Sequence, residues 1–485
     1  MNPLLMTDGY KVDHRRQYPV GTTLVYSNWT PRKSRIENIP EVVFFGLQYF
    51  LKKYIIEDFS TYFFNQPKEV VIKQYARFIN NYLGENQVGT KHIEALHDLG
   101  YIPMVFKALP EGTSVPVRVP MFTMYNTKPE FFWLTNYFET LLSTVIWLPC
   151  TSATIARQYR KILDKYAYET SSLPEFVDWQ AHDFSMRGMG GIEASVTSGA
   201  GHLLSFTGTD TIPTLAFLET YYNANSDTTL IGGSVAATEH SVMCMGTNEG
   251  EFETFKHLIT EVYPKGIVSI VSDTWDLWKV LTVYLPDLKT EIMNREGKVV
   301  IRPDSGNPVD IICGNPNGKT PEEKKGVIEL LWDTFGGSIN DKGFKELIPK
   351  IGAIYGDSIT LDRATQICER LKQKGFASTN IVLGIGSYTY QYNTRDTFGF
   401  AMKATYGEVN GEGREIYKDP VTDDGTKKSA KGLIQIYKDH NGRYQLKDQC
   451  TWEEEKQGEL KEVFRDGKLL INDSLANIRQ RIKAS

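Results

Sequence analysis

The sequence predicts an α/β protein: a central β/α barrel over roughly 146–390, with a flanking α+β domain built jointly from N-terminal (1–145) and C-terminal (391–485) segments. Three observations carry this reading. Between about 265 and 390, apolar β-branched runs end in small or polar residues and alternate with helical segments, the pattern of parallel strands covered on both faces. Residues before about 145 instead mix aromatic helices with an alternating, proline-punctuated stretch. Beyond about 395 the chain alternates strand-like runs with charged turns. At 485 residues it is too long for one simple domain.

The elements follow in order. In the N-terminal segment, TSVPVRVPMFTMYN is an alternating, proline-punctuated stretch. TSATIARQYRKILDKYAYE has helical spacing. GIVSIVSD reads as a strand leading into the helix TWDLWKVLTVYL, and KVVIRPDSGNP is the next strand and its loop. TPEEKKGVIELLWDTFGG carries its own helix signals: Thr320 as N-cap, Pro321 in the first turn, Glu323 to complete a capping box, and Gly336 and Gly337 to stop it. IGAIYGDS leads into ITLDRATQICERLKQKG, which should end at Lys374 and Gly375; NIVLGIGS is a further strand. GLIQIYKD and RYQLKD are the strand-like runs of the tail.

Bulk properties exclude several classes. A formal net charge of -5 gives no global basic field for nucleic acid. Five scattered cysteines without a CxxC pair fit neither a disulfide framework nor a zinc site, and point to a reducing cytoplasm. The N-terminal residues turn polar too soon for a signal peptide, and no run approaches a membrane span.

The chemistry gathers where strands end. Ser269 and Asp273 follow the first central strand; Arg302, Asp304 and Ser305 the second; Gly356 and Asp357 the third; Gly384, Gly386 and Ser387 the fourth. In a parallel β/α barrel these ends converge on one face, the usual place of the site. One such loop is explained by helix capping alone, but four in succession argue for a polar binding face. Small residues and helix-start N–H groups suit phosphate oxygens, Arg302 suits a bidentate contact, and Asp304 and Asp357 suit ribose hydroxyls or magnesium. The glycine spacings match neither common nucleotide-loop pattern, so a phosphorylated sugar is the expected ligand. AHDFSMRGMGGIEASVTSGAGHLLSFTGTD supplies Phe184 beside Arg187, and Asp210 after a turn. His182, His202 and His240 have no zinc-site spacing. In SVAATEHSVMCMG, Glu239 and His240 stand among small and apolar residues. Two readings stay open there, a packed core histidine and a charge-handling group at a pocket rim. The lysine-rich YKDPVTDDGTKKSAKG reads as a solvated loop or as a cover over phosphates.

Taken together, LLMTDGYKVDHRRQYP, VFFGLQYFLKKY, HDFSMRG, FTGTDT, SVAATEHS, VSDTWD, VIRPDSGNP, YGDS, TRD and YKDPVTDD resemble, in order and spacing, the nicotinamide phosphoribosyltransferases of the nicotinate/nicotinamide phosphoribosyltransferase family. The resemblance runs over essentially the whole chain. It implies a type II phosphoribosyltransferase fold, an irregular α/β barrel with a flanking mixed domain, assembled as a homodimer with active sites at the interface. It implies nicotinamide and 5-phosphoribosyl 1-pyrophosphate (PRPP) as substrates, nicotinamide mononucleotide and pyrophosphate as products, magnesium as cofactor, and coupling to ATP through a phosphohistidine.

Carried over by position, the resemblance makes His240 the phosphorylated histidine and Glu239 its orienting acid. Phe184 stacks on the nicotinamide ring, Tyr10 closes the other face from the partner subunit, and Asp210 accepts the carboxamide N–H. Arg187 and Arg302 hold phosphates, while Asp304 and Asp357 address ribose and metal. Gly356, Gly386 and Ser387 cradle the 5′-phosphate, which Arg395 reaches from the partner subunit. Lys403, Lys418 and Lys427 serve the ATP and PRPP phosphates. Ser387 stands where the family usually has glycine, and Ser185 and Met186 where it has Gly-Tyr. The nearest alternative activity is that of a nicotinate phosphoribosyltransferase, and a further one is a non-catalytic nucleotide-binding relative.

Overall fold

The computed structural model describes residues 1–84, 88–356, 358–417 and 430–484. The chain divides into two compact units: 1–154 with 217–224 and 393–485, and 155–216 with 225–392.

The second unit is built on a sheet of seven strands: β1 Ala181–Asp183, β2 Gly208–Thr209, β3 Ala236–Ala237, β4 Lys265–Val271, β5 Glu296–Arg302, β6 Ile351–Tyr355 and β7 Ile381–Ile385. Their order is β2-β1-β7-β6-β5-β4-β3, and every neighbouring pair is parallel. The sheet curls until its ends meet. Gly208 bridges Gly233 in parallel, with the Thr209 N–H donating to the Gly233 carbonyl and the Gly233 N–H to that of Thr207, both at 2.9 Å. The sheet is thus the expected α/β barrel, and its irregularity sits at this seam, where β2 and β3 are two residues long.

The strands read from apolar runs, β4 to β7, lie where the sequence puts them, because Val268, Ile270, Val299, Ile301, Leu383 and Ile385 are fully buried. The helix Leu361–Gln373 buries Ala364, Ile367, Cys368 and Leu371, one stripe at helical spacing. It ends as expected: the Lys374 N–H donates to the Arg370 carbonyl at 3.1 Å, and Gly375 takes φ +77°. The helix Pro321–Phe335 begins at Thr320, whose hydroxyl accepts the Glu323 N–H at 3.3 Å. The Glu323 carboxylate, however, accepts the N–H of Lys319 at 2.6 Å, so the reciprocal bond reaches one residue further upstream than in a capping box. Gly326 breaks this helix with φ +76°. A Cβ there would lie 2.2 Å from the Gly314 nitrogen. The helix read from TSATIARQYRKILDKYAYE is part of a longer one, Glu139–Thr170, with Pro149 in its interior.

The first unit has a seven-stranded antiparallel sheet assembled from distant segments. Thr22–Pro31 pairs with Phe400–Val409 on one side and Phe122–Asn126 on the other. Met104–Ala108 pairs with Lys461–Arg465. Its core includes Trp29 stacked on Phe400 at 5.5 Å and 8°, and a buried ion pair, Lys107 to Glu455, at 2.6 Å. The tail runs pair as a hairpin, Leu433–Lys438 with Tyr444–Cys450.

Candidate active site

Parallel pairing brings the strand ends of the barrel unit to a common edge, and the site is built there. At the end of β1, Asp183 is fully buried. It accepts the Ser185 N–H at 3.0 Å, the Ser185 hydroxyl at 2.6 Å and the Thr211 hydroxyl at 2.8 Å. These bonds hold the loops after β1 and β2 and so set the backbone of Phe184 and Asp210. The Asp210 N–H donates to the Asp183 carbonyl at 2.9 Å.

Asp210 Oδ1 lies 2.8 Å from His182 Nε2 and accepts the Ser234 hydroxyl at 2.6 Å. Burial pushes the Asp210 carboxyl up, but the bonds from His182 and Ser234 and the charge of Arg302 outweigh it and hold the group below its ordinary value. Asp210 is therefore an anion and acceptor, and His182 Nε2 carries the proton. The His182 and Phe184 rings stand 4.5 Å apart, and the Arg302 guanidinium lies 4.9 Å from the centre of the Phe184 ring. Phe184, Arg187, Ile192, Asp210 and Thr211 line a cavity of about 580 Å³. An aromatic face, a cation and an ionised acceptor thus meet in one cavity large enough for a small ligand.

Around β3, β4 and β5 lies a second group. Thr238 ties the first two together: its N–H donates to the Ser269 carbonyl and its hydroxyl accepts the Val271 N–H, both at 2.9 Å. His240 opens the helix that follows, His240–Met245, and is half-exposed. Its Nε2 lies 3.5 Å from Oδ1 of Asp273. Asp273 Oδ2 accepts the N–H groups of Asp304 at 2.8 Å and Ser305 at 2.7 Å, and the Ser305 hydroxyl at 2.6 Å. Glu239 accepts the hydroxyl of Ser241. Ser269 Oγ, Asp273 Oδ1, Thr274 Oγ1 and Arg302 Nε are buried without a hydrogen-bond partner among the described residues. Native proteins leave few such groups, so a cluster at strand ends marks a surface made for a polar ligand.

Close approach requires Gly384 in β7 and favours Gly356, which follows β6. A Cβ on Gly356 would lie 2.7 Å from Asp304 Oδ1, and one on Gly384 2.6 Å from the Tyr355 carbonyl. Gly386 caps the short helix Ser387–Gln391. The Ser387 hydroxyl occupies the place where a side chain on Gly188 would stand, 2.0 Å from such a Cβ. His202 lies in the core: its Nδ1 meets the Tyr390 hydroxyl at 2.7 Å and its Nε2 the Gly208 carbonyl at 3.1 Å. Burial pushes its pKa down to about 4, so the ring is neutral.

Of the residues singled out from sequence, Phe184, Arg187, Asp210, His240, Ser269, Arg302, Asp304, Gly356, Gly386 and Ser387 belong to the barrel unit. Tyr10, Arg395 and Lys403 belong to the other unit. Tyr10 is exposed with its ring edge-on to His14 at 5.1 Å, Arg395 lies 3.4 Å from Asp396, and Lys403 stands opposite Asn28 in the sheet. Asp357, Lys418 and Lys427 lie outside the described residues. His182 and Ser234 were not placed in the site from sequence; the only signal was their position beside a strand end or a small-residue run. Among the described residues, no group of three or more His, Cys, Asp or Glu is arranged to hold a metal.

Comparison with known proteins agrees with this geometry. The fold is that of the type II phosphoribosyltransferases. It superposes on a nicotinate-nucleotide pyrophosphorylase from Pyrococcus furiosus with a TM-score of 0.60 at 13% identity, covering 100% of this chain and 95% of that one. It superposes on human nicotinic acid phosphoribosyltransferase with a TM-score of 0.54 at 14% identity, covering 99% and 93%. The family model for the nicotinate phosphoribosyltransferase (NAPRTase) family matches residues 179–468, and that for the nicotinamide phosphoribosyltransferase N-terminal domain matches residues 2–95. The chain belongs to the nicotinate phosphoribosyltransferase (NAPRTase) family. Similar curated proteins include nicotinamide phosphoribosyltransferases. That of Acinetobacter baylyi is 53% identical over 99% of this chain and 97% of its own length. Those of Mycoplasma pneumoniae (38%, over 90% and 97%) and Xanthomonas campestris pv. campestris (32%, over 100% and 98%) follow.

Proposed function

We propose that this chain is an NAD-salvage enzyme that transfers the 5-phosphoribosyl group of PRPP to nicotinamide, releasing pyrophosphate. The observation that carries the choice of acceptor is Asp210. Both of its bonds, from His182 and Ser234, fall on Oδ1, which leaves Oδ2 to accept, and Phe184 lines the same cavity. An anion there welcomes the N–H donors of a carboxamide and repels the carboxylate of nicotinate. Phe184 stacks on the ring from one side, and Tyr10 of the partner subunit closes the other in a homodimer.

The second group serves PRPP. Nicotinamide is a weak nucleophile, so the ribose C1 must become electron-poor as pyrophosphate departs, and Arg302 and Arg187 stabilise the departing charge. Gly356, Gly386 and Ser387 receive the 5′-phosphate, with Arg395 from the partner subunit. The donors available for magnesium are hard oxygens, Asp304 with Asp357, and buried Asp273 Oδ1 makes no hydrogen bond. That is the sparse carboxylate set with which magnesium binds when phosphates complete its shell. When bound, the ion supplies positive charge to the pyrophosphate. His240 accepts phosphate from ATP, with its ring oriented by Asp273 in place of the Glu239 expected from sequence, while Lys403, Lys418 and Lys427 attend the phosphates. The enzyme is cytoplasmic in this reading. Among the described residues, no helix is long and apolar enough to cross a membrane.

The test is direct. Purified protein with nicotinamide, PRPP and magnesium, with and without ATP, yields nicotinamide mononucleotide; no product in either mixture overturns the assignment. Asp210→Asn lowers kcat/KM for nicotinamide by roughly 10–100-fold relative to that for nicotinate, as expected when a charged hydrogen-bond acceptor is lost. Unchanged discrimination removes Asp210 from its role. Mass spectrometry under non-acidic conditions detects ATP-dependent phosphate on His240.

A further inference from the structure

The non-barrel unit holds a cavity of about 540 Å³ that the proposed reaction does not use. Arg15, Lys91 and His92 line it together with Tyr18, Phe131 and Phe132. His92 is 9% exposed, and neither of its ring nitrogens has a hydrogen-bond partner. Its ring meets Trp133 edge-on at 5.0 Å. Burial first, then the charge of Arg15, push the His92 pKa down to about 3, so the ring is neutral and offers one donor and one acceptor. Arg15 Nε is likewise buried without a partner, while its Nη2 reaches the Val88 carbonyl at 3.5 Å. Roughly 90% or more of buried polar groups in native proteins are satisfied. Two unsatisfied ones on residues of a single cavity wall therefore point to a ligand that completes them.

The charges select the ligand's sign. Arg16 also lines the cavity, but Asp13 takes its guanidinium in a two-bond pair at 2.6 and 2.7 Å. The lining carries Arg15, Arg16 and Lys91 against Glu130, so it is net positive. The walls select its body. Tyr18 and Phe132 stand edge to face at 5.6 Å, and the Tyr18 hydroxyl is already occupied as acceptor of the Asn136 amide at 3.0 Å. What remains is an aromatic wall with the planar guanidinium of Arg15 in the same lining, and the volume lies in the range of small-molecule sites.

We infer that this cavity binds a small organic anion with a planar apolar body, an aromatic carboxylate, with its charge on Arg15 and His92 and its ring against Tyr18 and Phe132. Calorimetric titration of the full chain with benzoate tests it, with nicotinamide present in saturating amount to occupy the barrel cavity and benzamide as the neutral control. Wild-type protein takes up benzoate and does not take up benzamide. Arg15→Gln weakens benzoate binding at least ten-fold. Where thermal melting shows that Arg15→Gln does not fold as wild type does, Phe132→Ala replaces it, with the same loss expected. Absence of benzoate binding by the wild type, equal binding of benzamide, or undiminished binding by the folded variant overturns the inference.

Discussion

In the barrel unit, β3 to β7 lie side by side in the order in which the chain makes them. In the other unit, the strand Thr22–Pro31 takes one neighbour from 122–126 and the other from 400–409. The two sheets have seven strands each, but the first is assembled from successive β/α units and the second from segments nearly the length of the chain apart. One polar cluster in each unit illustrates two fates of buried polar groups. At the barrel's strand ends, Ser269, Thr274 and Arg302 carry buried atoms without hydrogen-bond partners among the described residues. In the antiparallel unit, Lys107 and Glu455 close on each other with side chains 6% and 1% exposed. Unpaired groups at a sheet edge are available to a ligand, whereas groups paired inside a core are committed to the fold.

The comparison breaks first at the ion pair. Glu455→Ala leaves Lys107 buried and unpaired and should cost about 3–5 kcal/mol. A urea midpoint equal to wild type would remove the distinction between the two sheets.

Next comes Glu111, also in the antiparallel unit and buried, with its carboxylate accepting the Gln48 N–H at 2.6 Å. Burial pushes its pKa from 4.5 up to about 7. A carboxyl raised on folding adds stability in full below its unfolded pKa, and that stability is lost as pH rises to the folded pKa. The loss falls between pH 4.5 and about 7, and at about 1.4 kcal/mol per pH unit it totals about 3 kcal/mol. Stability measured against pH should show this fall in the wild type and lack it in Glu111→Gln.

At the barrel edge the cost moves from folding to activity. Arg302→Ala should lower kcat/KM roughly 100-fold while stability stays within about 0.5 kcal/mol. A large drop in melting temperature would mean that Arg302 is structural. The smallest effect is expected from Ser234→Ala. It removes one of the two bonds to Asp210 and should raise KM for nicotinamide a few-fold, with kcat nearly unchanged in steady-state assays.

Much of the barrel was legible because its signals are local. Apolar β-branched runs mark β4 to β7, and Thr320 and Gly375 mark where helices start and stop. The candidate site was legible as a set of residue types at strand ends. Its pairings were less so. Glu239 and His240 are adjacent in sequence, yet successive residues at a helix start point about 100° apart, and Glu239 turns to Ser241. The carboxylate facing His240 is that of Asp273, brought there because Ala237 pairs with Ser269 in the parallel sheet.

By itself, then, the sequence determined the alternation of strand and helix, the ends of those elements and the chemistry gathered at them, since each depends on residues within a few positions of one another. Only the tertiary structure decided the seam at Gly208 and Gly233, the antiparallel sheet of the other unit, and the contact between His240 and Asp273. Backbone hydrogen bonding between strands is nearly indifferent to side-chain identity, so which distant segments pair is settled by packing of the whole chain and not by any local signal.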